Sequence, residues 1–147
     1  MKVDVKLISI ITVISFILNI VWENVQAPFY DGYQSFWQHF LICVQGAVGD
    51  TVIIVILYLL FAGIFSNAYW IKRINFNSTA ILIIIGAIAA IIIEKVALSV
   101  GRWEYAAMPI IPLLKVGLLP ILQMIILPIA TFKIAWRIYS YYEKNNL

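Results

Sequence analysis

The chain has 147 residues, 64% of them apolar and only 12% charged, which is far more apolar side chain than a soluble core of this size can use and excludes a water-soluble fold. Ten Lys and Arg against seven Asp and Glu are too nearly balanced to imply a nucleic-acid partner, and what matters is where they fall. The single cysteine, Cys43, permits neither an intramolecular disulfide nor a CxxC metal knuckle.

The first predicted helix covers about residues 6–27. Lys2 and Lys6 precede an apolar run from Leu7 to Trp22, and Val25-Gln26-Ala27 has the small-residue look of a signal cleavage site. Pro28 argues against cleavage, and the run is longer than a usual signal core, so the helix is expected to be retained. The second helix covers about 37–65, from Trp37 through VIIVILYLLFAGIF, with Gln45 and Asp50 interrupting it. The third covers about 79–100 and opens after Asn77-Ser78, an N-cap signal. The fourth covers about 113–138, passes through Pro120 and Pro128, and ends in a basic, aromatic tail. At about 1.5 Å per residue each crosses a hydrocarbon layer of about 30 Å. The fold class is all-α: a single transmembrane domain over 1–147, a four-helix bundle with short connections and hence up-down neighbours. No internal repeat is visible.

Cation placement sets the orientation. With four spans both termini share a side, which carries Lys2, Lys6, Lys72, Arg73, Lys133, Arg137 and Lys144; the other side carries Lys95, Arg102 and Lys115. The excess puts both termini in the cytoplasm. Trp70, Trp136, Tyr139, Tyr141 and Tyr142 then mark the inner interface, and Phe29, Tyr30, Tyr33, Trp37, Trp103 and Tyr105 the outer one.

An ionisable group at the bilayer centre costs at least about 2.5 kcal/mol and usually faces protein, water or a partner. Asn19, Glu23 and Gln26 are spaced four and three apart, so they share a face of the first helix, with Trp22 beside them. His39, Cys43, Gly46 and Asp50 form a second stripe, from the outer interface to mid-membrane. Glu94 stands over Ala90 and Gly86 at four-residue intervals, small residues that admit a close neighbour. Gly117, Pro120 and Gln123 align at three-residue steps, and Pro120 is expected to free the carbonyl of Val116. The connection GRWEYAAMPIIP, with two prolines, is expected to fold as a cap.

Together Glu23, His39, Asp50, Glu94, Arg102 and Gln123 are expected to converge on a cavity open toward the outer leaflet or the extracellular water. Plainer roles stand beside this one. Glu23 and Glu94 can sit at the interface paired with Lys95 or Arg102; Asp50 can be structural, bonded to His39, Asn19 or Gln45; His39 can be an ordinary interfacial histidine and Cys43 a packing residue. One histidine and no HExxH or ExxH spacing argue against a metal. Nucleophile motifs, phosphate loops and dinucleotide fingerprints are absent.

The strings WENVQAPFY, His39-x3-Cys43 followed by Gly49-Asp50, GRWEYAAMPIIP and GLLPILQ resemble a family of small, uncharacterised bacterial inner-membrane proteins of four helices. That resemblance covers most of the chain and implies a bacterial inner-membrane location. More loosely, a glutamate some residues before Gly-x-Trp-x-Tyr and then a proline-bearing helix is similar to the membrane-embedded carotenoid cyclases of the lycopene cyclase type, the likeness touching Glu94, Gly101, Trp103 and Tyr105. Where those cyclases carry paired acidic residues after proline, this chain has Ile121, Leu122 and Gln123 after Pro120.

Two function classes follow. In the first, the chain is an intramembrane acid–base enzyme or binding protein acting on an isoprenoid or other lipid, without a cofactor. Glu94 and Asp50 are the proton-transfer pair, Glu23 and His39 assist, Trp103 and Tyr105 shield a cationic intermediate, and Arg102 holds an anionic head. Gln123, Asn19, Gln26 and Trp22 complete the substrate site. In the second, the same stripes line a path for a small solute or proton, or a contact surface in a membrane complex; a transporter of four helices would need a homo-oligomer. The inner half of each span is nearly free of polar groups, which argues against a simple channel.

Overall fold

The computed structural model describes residues 4–145; Lys2 lies outside them. Four long helices account for most of the chain: α1 (Val5–Gln26), α2 (Phe36–Ile64), α3 (Phe76–Ser99) and α4 (Leu118–Asn145). All four are long and apolar enough to cross a membrane, so this is a multi-pass membrane protein. Rows of exposed apolar side chains face outward, as Val13, Ile17, Val21 and Val25 do on α1, because lipid solvates them as well as protein would.

The ends of the helices have local causes. Asp4 caps α1, its Oδ1 accepting from the Leu7 N–H at 3.0 Å. Asn75, not Asn77-Ser78, caps α3: its Oδ1 accepts from the Ser78 N–H at 2.8 Å while the Ser78 hydroxyl accepts from the Asn75 N–H at 3.1 Å, a reciprocal box that starts the helix three residues early. Gly101 closes α3. At φ +66° it lets the Arg102 N–H reach the Ala97 carbonyl and its own N–H reach that of Leu98, the Schellman arrangement that a residue with Cβ resists.

The fourth helix begins at Leu118 rather than near 113 and runs on to Asn145. Residues 110–117 instead make a small hairpin of β1 (Ile110–Ile111) and β2 (Val116–Gly117), with Ile110 opposite Gly117 and Ile111 opposite Val116. Val116 is therefore a strand residue. Pro120 is the third residue of α4, where a missing N–H removes no helical bond, so the expected freed carbonyl at Val116 does not arise. The proline that breaks the ladder is Pro128, which leaves the Met124 carbonyl without its donor.

Packing follows the small residues. Helix α1 lies between α2 and α4, and α4 packs in turn on α3; α2 and α3 flank the bundle and do not pack along each other. On α3, Leu82, Gly86, Ala90, Glu94 and Ala97 form the buried stripe. At Gly86 an added Cβ would sit 2.2 Å from the Met124 carbonyl oxygen, so the notch and the freed carbonyl fit each other. In the half that holds the chain ends, Tyr58, Phe61, Trp70 and Phe132 form an aromatic plug, with ring centroids of Phe61 and Trp70 5.0 Å apart and of Trp70 and Phe132 5.3 Å apart. Its polar tips are satisfied, since the Tyr58 hydroxyl donates to the Ala68 carbonyl and the Trp70 indole to that of Tyr58.

Asp4 also clasps that end. Its Oδ2 accepts from the hydroxyls of Tyr69 at 2.9 Å and Tyr139 at 2.7 Å, joining α1 to the α2–α3 connection and to α4. Desolvation opposes its charge, but the bonds from Tyr139, the Leu7 N–H and Tyr69 outweigh it and hold the carboxyl below its ordinary range. Lys6 adds an ion pair to Glu143 at 2.7 Å.

Candidate functional site

A cavity of about 450 Å³ occupies the half of the bundle opposite the chain ends. Each helix supplies a wall: Glu23 and Gln26 from α1; His39, Ile42, Cys43, Gly46 and Asp50 from α2; Ala90, Ile93 and Glu94 from α3; Pro120, Gln123 and Met124 from α4. Tyr30, Asp31, Arg102 and Trp103 cover it from the connections. Ile42 of α2 and Ile93 of α3, both lining it, are 59% and 39% exposed, so the cavity reaches the surface of the bundle on the side where α2 and α3 do not pack along each other. Below it the aromatic plug closes the bundle.

Gln123, 2% exposed, is the hub. Its Nε2 lies 2.6 Å from Asp50 Oδ2, 3.0 Å from Glu23 Oε1 and 3.0 Å from Asn19 Oδ1, while its Oε1 accepts from Gln26 Nε2 at 3.2 Å. One amide thus draws together the polar stripes of α1 and α2. It carries two hydrogens for three acceptors, so the cluster has acceptor capacity to spare. Gln26 Nε2 also donates to Glu23 Oε1 at 3.0 Å, and Gln26 Oε1 accepts from the Trp22 indole at 3.2 Å. Asn19 is anchored from behind, donating to the carbonyl and hydroxyl of Ser15. Gly46 leaves room for the Glu23 carboxyl, whose atoms would lie 2.9 Å from a Cβ there.

On the opposite wall Glu94, 3% exposed, accepts a hydrogen bond from the Tyr105 hydroxyl, which in turn accepts from the Gly117 N–H at 2.8 Å. Burial and the bond to Glu94 push the Tyr105 phenol up, so it stays a donor at any working pH. Tyr30 is likewise pushed up, by burial and then by Glu94 and Glu23. The two connections are zipped together: Tyr30 and Tyr105 form a β-bridge, Asp31 N–H donates to the Glu104 carbonyl, and the N–H groups of Ala106 and Ala107 donate to that of Phe29. Tyr30 stands edge-on to Trp103 at 6.1 Å, and Arg102 lies 5.6 Å over the Trp103 ring.

The expected residues therefore divide by position. Glu23, Gln26, His39, Asp50, Glu94, Arg102, Trp103 and Gln123 line one cavity, whereas Asn19, Trp22 and Tyr105 stand behind its wall and orient members of it. The alternative structural role for Asp50, with bonds to His39, Asn19 or Gln45, does not match its observed partner, which is Gln123: His39 is 11 residues along α2, about 16 Å away, its ring against Tyr33 at 5.1 Å and its buried Nδ1 without a hydrogen-bond partner among the described residues. Trp103 Nε1 is also buried without a bond of regular geometry. Tyr30, Asp31 and Gln45 join the lining; nothing in the spacing of Tyr30 and Asp31 distinguishes them from ordinary interfacial residues, and only the folding of the connections brings them in, whereas Gln45 stands on α2 beside the polar stripe. Among the described residues no group of three His, Cys, Asp or Glu side chains has a metal-holding arrangement. Comparison with family models, with curated proteins and with solved structures returned no match.

Proposed function

We propose that this is a bacterial inner-membrane protein with both termini in the cytoplasm, whose cavity takes the head of an isoprenoid or other lipid from the outer leaflet for acid–base chemistry. The observation that carries the proposal is a cavity that holds Glu23, Asp50 and the buried Glu94 and is lined by the exposed Ile42 of α2 and Ile93 of α3. A membrane-dissolved molecule reaches such a site without leaving the bilayer, its chain lying between Ile42 and Ile93. The spare acceptors around Gln123 suit a head that brings hydrogen-bond donors. Glu94, oriented by Tyr105, and Asp50, oriented by Gln123, are the proton-transfer pair: one gives a proton to the substrate and the other takes one from it. Glu23 and His39 assist from the same lining, and Tyr30 and Trp103 offer ring faces to a cationic centre. A simple channel is disfavoured by the plug of Tyr58, Phe61, Trp70 and Phe132.

Mass spectrometry of the protein released gently from detergent tests the proposal. A defined co-purifying lipid is expected, with retention falling at least tenfold in Glu94→Gln or Asp50→Asn. Absence of bound lipid, together with solute or proton flux in reconstituted vesicles that depends on Asp50, overturns it in favour of transport, for which a homo-oligomer would be the working unit.

A further inference from the structure

At the opposite end of the bundle the α2–α3 connection folds around an open groove of about 570 Å³ lined by Asn67, Tyr69, Trp70, Lys72, Arg73 and Asn75 among others. We propose that this groove binds the headgroup phosphate of an anionic phospholipid.

The inference rests on which polar groups are already committed. Asn67 Oδ1 accepts from the Tyr69 N–H at 2.9 Å, and Asn75 Oδ1 accepts from the Ser78 N–H at 2.8 Å. Those backbone donors require the amide oxygens to face them, which leaves each Nδ2 to point elsewhere. The Tyr69 hydroxyl donates to Asp4 and the Trp70 indole to the Tyr58 carbonyl. Neither Lys72 nor Arg73 has an ion pair among the described residues, and no carboxylate lines the groove. The uncommitted side-chain groups are thus the two Asn amides, the Lys72 ammonium and the Arg73 guanidinium, all of them donors. A concave surface whose free side-chain groups are all donors, two of them cationic, favours an anion, and the guanidinium fork matches a phosphate. The start of α3, with its positive dipole end, lies beside it.

Location chooses a lipid over a free ion. The groove lies in the connection between two membrane-length helices, and the side chains flanking it are apolar and outward: Ile64 65%, Phe65 46% and Phe76 85% exposed. Acyl chains would meet these while the phosphate meets the cations. The site is separate from the acidic cavity and stands whether or not that cavity binds lipid.

The test is native mass spectrometry of the full chain titrated with phosphatidylglycerol and, in parallel, phosphatidylcholine of the same acyl chains. The variants are Lys72→Gln/Arg73→Gln and, as a control at the same end, Lys133→Gln/Arg137→Gln, all four side chains being exposed. The first pair is expected to weaken the tightest phosphatidylglycerol adduct about thirtyfold, the effect of losing two charge-assisted contacts to one phosphate, and the control by less than about threefold. Equal losses in both pairs would mean general attraction to positive charge and overturn the site. So would phosphatidylcholine binding as tightly, or displacement of phosphatidylglycerol by millimolar inorganic phosphate, which would make it an anion site without a lipid.

Discussion

Replacing Gln123 by Met keeps a straight side chain of similar length in a site that is 2% exposed, so the void created is small and the loss is of hydrogen bonds. Gln123 reaches three acceptors, on Asn19, Glu23 and Asp50, and one donor, on Gln26. With two amide hydrogens and one carbonyl in use, three bonds are formed at a time. A side-chain bond inside a membrane protein averages about 0.6 kcal/mol, which puts the lower bound near 2 kcal/mol. Acceptors left unpaired cost about 1–3 kcal/mol each, and water entering the cavity re-solvates part of them, so the expected destabilisation is about 2–4 kcal/mol. Reversible unfolding in mixed micelles with rising dodecyl sulfate, followed by circular dichroism, measures it. A double-mutant cycle with Asp50→Asn is expected to show coupling of at least about 1 kcal/mol. Stability within about 0.5 kcal/mol of wild type, with no coupling, would refute the claim that one amide holds the two polar stripes together.

Gly86→Ala drives a Cβ to 2.2 Å from the Met124 carbonyl oxygen; α3 must retreat by about 1 Å, at a cost of about 2–3 kcal/mol, while Ile88→Ala on the exposed face changes the same unfolding midpoint far less. An unshifted midpoint in Gly86→Ala would show that the helices do not meet there. For Asp4, whose carboxyl lies below its ordinary range, the sign is that of a depressed acid: its stabilisation is whole above the unfolded value of 3.8 and is lost as pH falls through the folded one. Asp4→Asn is therefore expected to cost about 1 kcal/mol at pH 7, small because the clasp is partly exposed, and the difference from wild type should close below about pH 4. A difference that persists unchanged at pH 3 would assign the effect to shape rather than charge.

Glu94 shows how much of the site was legible. Its spacing from Ala90 and Gly86 placed it on a face made for close packing, and α3 buries that face. Its partner Tyr105 was expected among the substrate contacts, and its position behind the wall depends on a hairpin, residues 110–117, that apolar sequence in a membrane protein does not distinguish from helix. Pro120 misled for the same reason: proline reads as a helix break only when the helix start is known. Gln123 was placed on the polar face, but its role as hub was not visible. Asp4 before the first apolar run is at most a helix-start signal, and nothing in the sequence pointed to its bonds with Tyr69 and Tyr139.

What the sequence determined by itself is what depends on neighbours three and four residues apart: four spans and the polar stripes along them. Hydropathy and helical period are local properties, so they survive without knowledge of the fold. Only the tertiary structure decided that α2 and α3 stand apart, that Gln123 meets Asn19 and Glu23 across 104 and 100 positions of chain, and that Asp4 meets Tyr139 across 135. Small residues such as Gly46, against Glu23, and Gly86, against Met124, set how closely α2 meets α1 and α3 meets α4, and the α1–α4 pairings form within that frame, a choice made jointly by facing surfaces and written in neither one alone.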